Sequence, residues 1–360
     1  MHGWAPSIRG DSRGVGEATQ QAQCARSCET PRHRQLRPQV ETTMQPLLLD
    51  PSGPKVVAIG GGHGQASALE AIQCYASEIT ALVTVSDDGG SSGRLIDLGI
   101  PPPGDLRRCL LALTPEPSIW SELFAHRFSE GDVIDHSLGN LIIAGLANMF
   151  GDFETAVSTA GQMLGAVGEV IPVAPDPLTL HARIDGEDIV GQRLIGDRIG
   201  EVEDVWIEPA DVVASRRALS AIASADQIVI GPGSLYTSII AALKVNMLAD
   251  AVMQAPAQRV FVLNLVTQDG ETLGMDGTGH LEALRRHVGI EGPAVVIAHE
   301  GRLDVPEGHD SVTIEADAAA RMGWRVVYAD VADQAAEWPA HDPLKLGRVL
   351  EELSQGGQER

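Results

Sequence analysis

Four short apolar runs in this chain each stop in a loop of glycine, serine, aspartate or asparagine, and a helical pattern follows each loop. Residues 55–59 break into Gly60-Gly61-Gly62-His63-Gly64, and residues 80–85 into the stretch 86–94. Residues 226–230 are closed by 231–234, and residues 259–263 stop at Asn264. Runs this short and this continuously apolar fit strands buried on both faces, and their alternation with helices implies a parallel sheet covered on both sides. In such sheets ligands bind outside the carboxyl ends of the strands. That is where the polar loops fall.

The same periodicities place the other elements. Helices are expected at 105–113, 136–150, 152–166, 235–253, 278–288 and 344–353, with late strands at 294–298 and 325–328. Short strands at 169–173, 178–184 and 188–193, with Asp185-Gly186 as a hairpin turn, suggest an antiparallel insert at about 168–210. The expectation is one α/β domain over 53–355, a mostly parallel sheet with helices on both faces. Residues 1–43 show no period and carry six arginines against four acidic residues. Such a stretch cannot offset its own ordering entropy, so a disordered extension over 1–52 is expected, with translation starting at Met44.

Composition removes several functions. Hydrophobic residues are 44% but aromatics only 4%, so the core must be aliphatic. A net charge of −23 argues against nucleic acid or an anionic membrane as partner. Four scattered cysteines suggest a reducing compartment, and no apolar run is long enough to span a membrane. Cys24 and Cys28 lack the further ligands that structural zinc needs. The Walker phosphate loop, the His-Glu-x-x-His helix and the Gly-x-Ser-x-Gly elbow do not occur.

The loops carry the candidate site. Gly60 to Gly64 can present backbone N–H groups to an anion at a helix N-terminus. Gln65 stands where the dinucleotide fingerprint has its third glycine, which weakens a nicotinamide reading. Asp87 and Asp88 could hold ribose hydroxyls or Mg²⁺. Gly89 is a further candidate for ligand binding, Ser91 and Ser92 are short donors, and Arg94 could fork onto a phosphate. Asp105 lies in the first turn of a helix beside Arg107 and Arg108. His136 and Asn140 are expected four apart on one helical face. Gly231, Gly233, Ser234, Thr237 and Ser238 form a second glycine loop suited to a diphosphate, with Tyr236 able to stack on a base. Gln268, Glu271, Thr272 and His280 read as polar loop or helix-start positions.

Six ordered motifs, GGGHG, TVSDDGGSSGRL, PPPGDLRRCLLAL, HSLGNLIIAGL, IGPGSLYTSII and NLVTQDGETLGMDGTGHLEAL, resemble the bacterial gluconeogenesis factor family. The resemblance runs from about Lys55 to about Leu353. That family is similar in fold to 2-phospho-L-lactate transferase. The resemblance implies a Rossmann-like α/β fold and a cytoplasmic location. It also implies binding of UDP-sugars such as UDP-N-acetylglucosamine, and a role in cell shape under gluconeogenic growth. Partners in cell-wall synthesis and a homo-oligomer are further expectations of this kind. His63 departs from the threonine of many relatives, and the segment before His280 matches only loosely.

Two functions compete. One is a nucleotide-sugar-binding regulator of peptidoglycan synthesis, needing no certain cofactor. The other is a transferase of a phosphorus-containing group, with Asp87 and Asp88 holding Mg²⁺ and His136 as general base. A nicotinamide oxidoreductase comes third.

Overall fold

The computed structural model describes residues 49–86 and 99–356. The stretch 1–48, Met44 included, lies outside them, as do Asp87, Asp88, Gly89, Ser91, Ser92 and Arg94. The fold begins earlier than the expected boundary at residue 53. Asp50 Oδ1 accepts hydrogen bonds from Ser52 N at 2.9 Å and Ser52 Oγ at 2.7 Å, closing a local turn. Leu49 packs against the core beside it.

Seven parallel strands make the main sheet: β1 (Lys55–Gly60), β2 (Glu78–Val83), β3 (Glu169–Pro172), β7 (Gln227–Ile230), β8 (Gln258–Val262), β9 (Ala294–His299) and β10 (Trp324–Ala329). Between β3 and β7 lie β4 (Thr179–Ile184), β5 (Glu187–Val190) and β6 (Val202–Glu208), which form a separate antiparallel sheet in the order β5-β4-β6. The main sheet runs β10-β9-β8-β7-β1-β2-β3. From β1 the chain moves outward through β2 to β3, then returns to place β7 on the other side of β1. The order therefore reverses between β1 and β7, and a crevice opens at the carboxyl ends of these two strands.

The strands read as near-continuous apolar runs because both faces are covered. Val56, Val57, Ala58 and Ile59 of β1 are all buried, as are Ile228, Val229 and Ile230 of β7. The core is aliphatic, with Trp324, Phe124 and Phe261 as its largest fully buried side chains. Helices Gly62–Ile72, Gly104–Ala112, Ile119–Ala125, Leu138–Phe150 and Phe153–Leu164 connect β1 to β2 and β2 to β3.

Three local expectations are corrected. The strand at 169–172 belongs to the main sheet, paired in parallel with β2, so the antiparallel insert starts only at β4. The run expected as a strand over 188–193 ends at Val190, and Gly191 at φ 101° turns the chain into a helix, Gln192–Asp197. The long helix expected over 235–253 is broken. A π-helical segment, Leu235–Ile240, passes into Ala241–Leu243, and the chain restarts at Leu248–Gln254 after Met247 at φ 73°. Asn246 is drawn aside at the break, donating N–H to Val212 O at 3.1 Å and Nδ2 to Ala210 O at 2.8 Å.

Candidate functional site at the sheet's switch point

The two glycine loops meet because they leave neighbouring strands. Gly62 adopts φ +71°, which a side chain would resist, and it turns the chain from β1 into the first helix. Gly64 lies against the second loop, and a Cβ there would stand 2.5 Å from Pro232 O. Asn264, at the end of β8, fixes the second loop from the other side. Its Oδ1 accepts from Gly233 N at 3.2 Å and its Nδ2 donates to Gly233 O at 3.0 Å. Asn264 thus positions the loop with both ends of its amide. Gln65, in place of the fingerprint glycine, is fully buried and donates Nε2 to Ala58 O at 3.1 Å and Leu82 O at 3.2 Å. It ties the helix to β1 and β2.

A cavity of about 590 Å³ occupies the crevice. Its wall takes Gly61, Gly62, His63 and Gly64 from the first loop, Gly233, Ser234 and Ser238 from the second, and Asp105 and Asn264 from flanking elements. These nine sequence candidates share one cavity wall. Arg108, Trp338 and His341 join them. A larger cavity, about 1210 Å³, lies between residues 199–202 and the helix Gly277–Val288, away from the first glycine loop. The crevice is the better candidate because the strand ends and both loops open onto it.

The electrostatics of the crevice are set by the buried Asp105 and the neighbouring arginines. Asp105 is buried; it pairs with Arg108 and accepts a hydrogen bond from the Gly62 N–H. Burial raises the Asp105 carboxyl above its ordinary value, against the opposing pull of Arg108. The His63 imidazole, half-buried, is pushed down first by burial and then by Arg108 and Arg107, which favours its neutral form. Arg107 is lowered to about 10, mainly by burial.

The second loop differs from its sequence reading. Glu271, buried, sits at the start of the helical segment that follows the loop. Its carboxylate accepts from Tyr236 N at 2.9 Å, Thr237 N at 3.3 Å and Thr237 Oγ1 at 2.6 Å. The N–H groups proposed as a diphosphate cradle at Tyr236 and Thr237 are therefore taken by a side chain of the same chain. Neither residue lines the crevice. Tyr236 is 3% exposed, packs edge-on against His287 at 5.6 Å between centroids, and faces the larger cavity. Trp338, 48% exposed on the crevice wall, offers an aromatic ring where Tyr236 does not.

His136 and Asn140 do not share a helical face. The helix begins at Leu138 with Ser137 as its cap, which leaves His136 ahead of it. Asn140 Oδ1 accepts from Arg107 Nε at 3.0 Å, and neither residue lines the crevice. Among the described residues no group of three or more His, Cys, Asp or Glu side chains could hold a metal ion. Asp105, the carboxylate at the crevice, already faces Arg108 and the Gly62 N–H. Asp87 and Asp88, the expected Mg²⁺ ligands, lie outside the described residues.

The sequence fits the family model described as 2-phospho-L-lactate transferase CofD over residues 56–332. The gluconeogenesis factor of Bacillus subtilis is 36% identical over 312 residues, spanning 83% of this chain and 98% of the relative. The chain belongs to the gluconeogenesis factor family. The gluconeogenesis factor of Halalkalibacterium halodurans is 42% identical over 238 residues, covering 65% of this chain and 74% of that one. A crystal structure of a Bacillus halodurans protein superposes with a TM-score of 0.80 at 34% identity, covering 83% of this chain and 99% of that chain. The transferase match stops at residue 332, before Trp338 and His341. Among the described residues no helix is long and apolar enough to cross a membrane.

Proposed function

We propose that this gluconeogenesis factor family member binds a UDP-sugar of the UDP-N-acetylglucosamine type in the β1–β7 crevice. It acts as a regulator of cell shape under gluconeogenic growth. The observation that carries the reading is the closure of one cavity by two glycine loops, Gly64 abutting Pro232, with Arg108 in the wall. On a chain of net charge −23, a diphosphate needs such a local set of backbone N–H groups and a guanidinium. Ser238 lines the same cavity. Regulation requires only that the ligand favour one conformation of the protein over another. Partners in cell-wall synthesis would then read that conformation, in the cytoplasm.

The family match favours a second reading, a Mg²⁺-dependent transfer of a phosphorus-containing group. Its metal ligands would be Asp87 and Asp88, outside the described residues. A thermal-shift panel with UDP-sugars, GDP and NADP, each with and without Mg²⁺, tests both. A UDP-sugar at about 100 times its dissociation constant should add roughly 2.7 kcal/mol of stability without Mg²⁺. Gly233→Val, which adds a branched side chain at the crevice wall, should abolish that shift. A shift seen only for GDP with Mg²⁺, together with turnover, would replace the regulatory reading by the transferase.

A further inference from the structure

The short hairpin of β11 (Ala332–Asp333) and β12 (Ala340–His341) closes one side of the crevice. Trp338 stands in the loop that joins these strands, on the crevice wall, and keeps about half of its surface bare. Its ring meets His309 at 5.1 Å between centroids, with the two planes 87° apart. In an edge-to-face contact only one ring gives up a face, so at least one face of the indole stays clear of His309. His309 is fixed in turn. Asp269 Oδ1 lies 3.5 Å from its Nε2, and the backbone that follows it, 310–312, pairs with 265–267. The crevice wall therefore carries a braced aromatic plane.

We propose that the uracil ring of the bound UDP-sugar stacks on the bare face of Trp338. The inference rests on the UDP-sugar reading above and deepens it, because it gives the ligand a direction within the crevice. A pyrimidine is flat and its faces carry no hydroxyl, so an aromatic plane suits it. Beside Trp338, Pro339 has no N–H and Ala340 no polar side chain, so this part of the wall offers little to a polyhydroxylated sugar. The sugar has a better place. At Gln192, Ser234 and Gln268 the crevice adjoins a smaller cavity of about 360 Å³. Asp197 and Asp269 stand in its wall, with carboxylate oxygens that can accept from sugar hydroxyls. The diphosphate then falls at the glycine loops and Arg108. Trp338 lies beyond the segment matched to the transferase family, so the feature is not part of that match.

Two substitutions and two ligands test the stack. Calorimetric titration of the full chain with UDP and with UDP-N-acetylglucosamine should show about thirtyfold weaker binding of both to Trp338→Ala. Trp338→Phe keeps a flat ring and should stay within about fivefold of the parent for both ligands. Saturating UDP should also quench the tryptophan emission of the parent and leave that of Trp338→Phe nearly unchanged. Ligand-free thermal midpoints report whether either variant has lost its fold. Should the alanine variant unfold, the emission decides: quenching that survives in Trp338→Phe overturns the inference. Equal affinities for the parent and Trp338→Ala overturn it and leave the UDP-sugar reading standing. Weakening confined to UDP-N-acetylglucosamine overturns it too, since the indole would then hold the sugar. Equal weakening in both variants does the same, because a flat ring should rescue a stack. A parent protein that binds neither ligand overturns the functional reading, and this inference with it.

Discussion

The two glycine loops look alike as sequence and differ as chemistry. Both follow a buried strand, both open a helical segment, and both could offer free N–H groups to a phosphate. In the first loop, Asp105 engages the Gly62 N–H but is itself paired with Arg108, and the loop lines the crevice. In the second, Glu271 lies beneath the helix start and takes the N–H groups of Tyr236 and Thr237 together with the Thr237 hydroxyl. The second helix start is occupied by a carboxyl group of the same chain. On that side the crevice is lined by Gly233, Ser234 and Ser238. A glycine loop ahead of a helix marks a place for negative charge, but only the fold tells whether a ligand or a carboxylate of the same chain fills it.

The most severe way to break this pairing is to force the loops apart. Gly64→Val would drive side-chain carbon into the Pro232 carbonyl, which has no room to retreat. We expect a loss of about 3 kcal/mol in urea unfolding, together with loss of UDP-sugar binding. Removing the internal anion comes next. Glu271→Ala strands two buried backbone donors and should cost about 2 kcal/mol, while binding at the first loop survives in the folded fraction. Glu271→Gln sharpens the comparison through pH. Burial raises the Glu271 carboxyl, so between its unfolded value near 4.5 and its higher folded value the native state holds the extra proton. Stability from this group is therefore fully present below that window and falls as pH rises through it. The Gln variant should lose this part of the slope, as read from thermal midpoints across the same range. The mildest probe is Gly62→Ala. A Cβ there meets nothing within 4 Å, so the cost is the φ of +71° alone, about 1 kcal/mol by urea unfolding.

Much of the architecture could be read from one dimension because its signals are local. Apolar runs for β1, β2, β7 and β8 and the loops behind them depend on residues a few positions apart. The Asp185-Gly186 turn was readable for the same reason, with φ of 49° and 78° in place. The errors arose where a distant partner decides. The strand at 169–172 looks like its antiparallel neighbours, yet it finds an open edge on β2. The break at Met247 is imposed by Asn246 reaching back to Ala210 and Val212. Glu271 reads as ordinary loop polarity because the donors it serves lie 34 and 35 positions away. Trp338 and His341 carry no motif, and only the hairpin's placement puts them on the same cavity wall as Gly61 and Asn264. His136 and Asn140 were misjudged by a shorter slip, a helix that starts two residues later than its apolar pattern.

The Ala332–His341 hairpin has a consequence for biosynthesis. Both glycine loops leave the ribosome well before the hairpin does, so a nascent chain can assemble the crevice floor without its last wall. The helix Pro343–Gly356 then lays Gly347 close against Ala71 of the first helix, where a Cβ would be 2.8 Å from the Ala71 carbonyl. Closing that side of the crevice thus awaits translation past His341, and a chain clipped by proteolysis ahead of the hairpin would leave it open there.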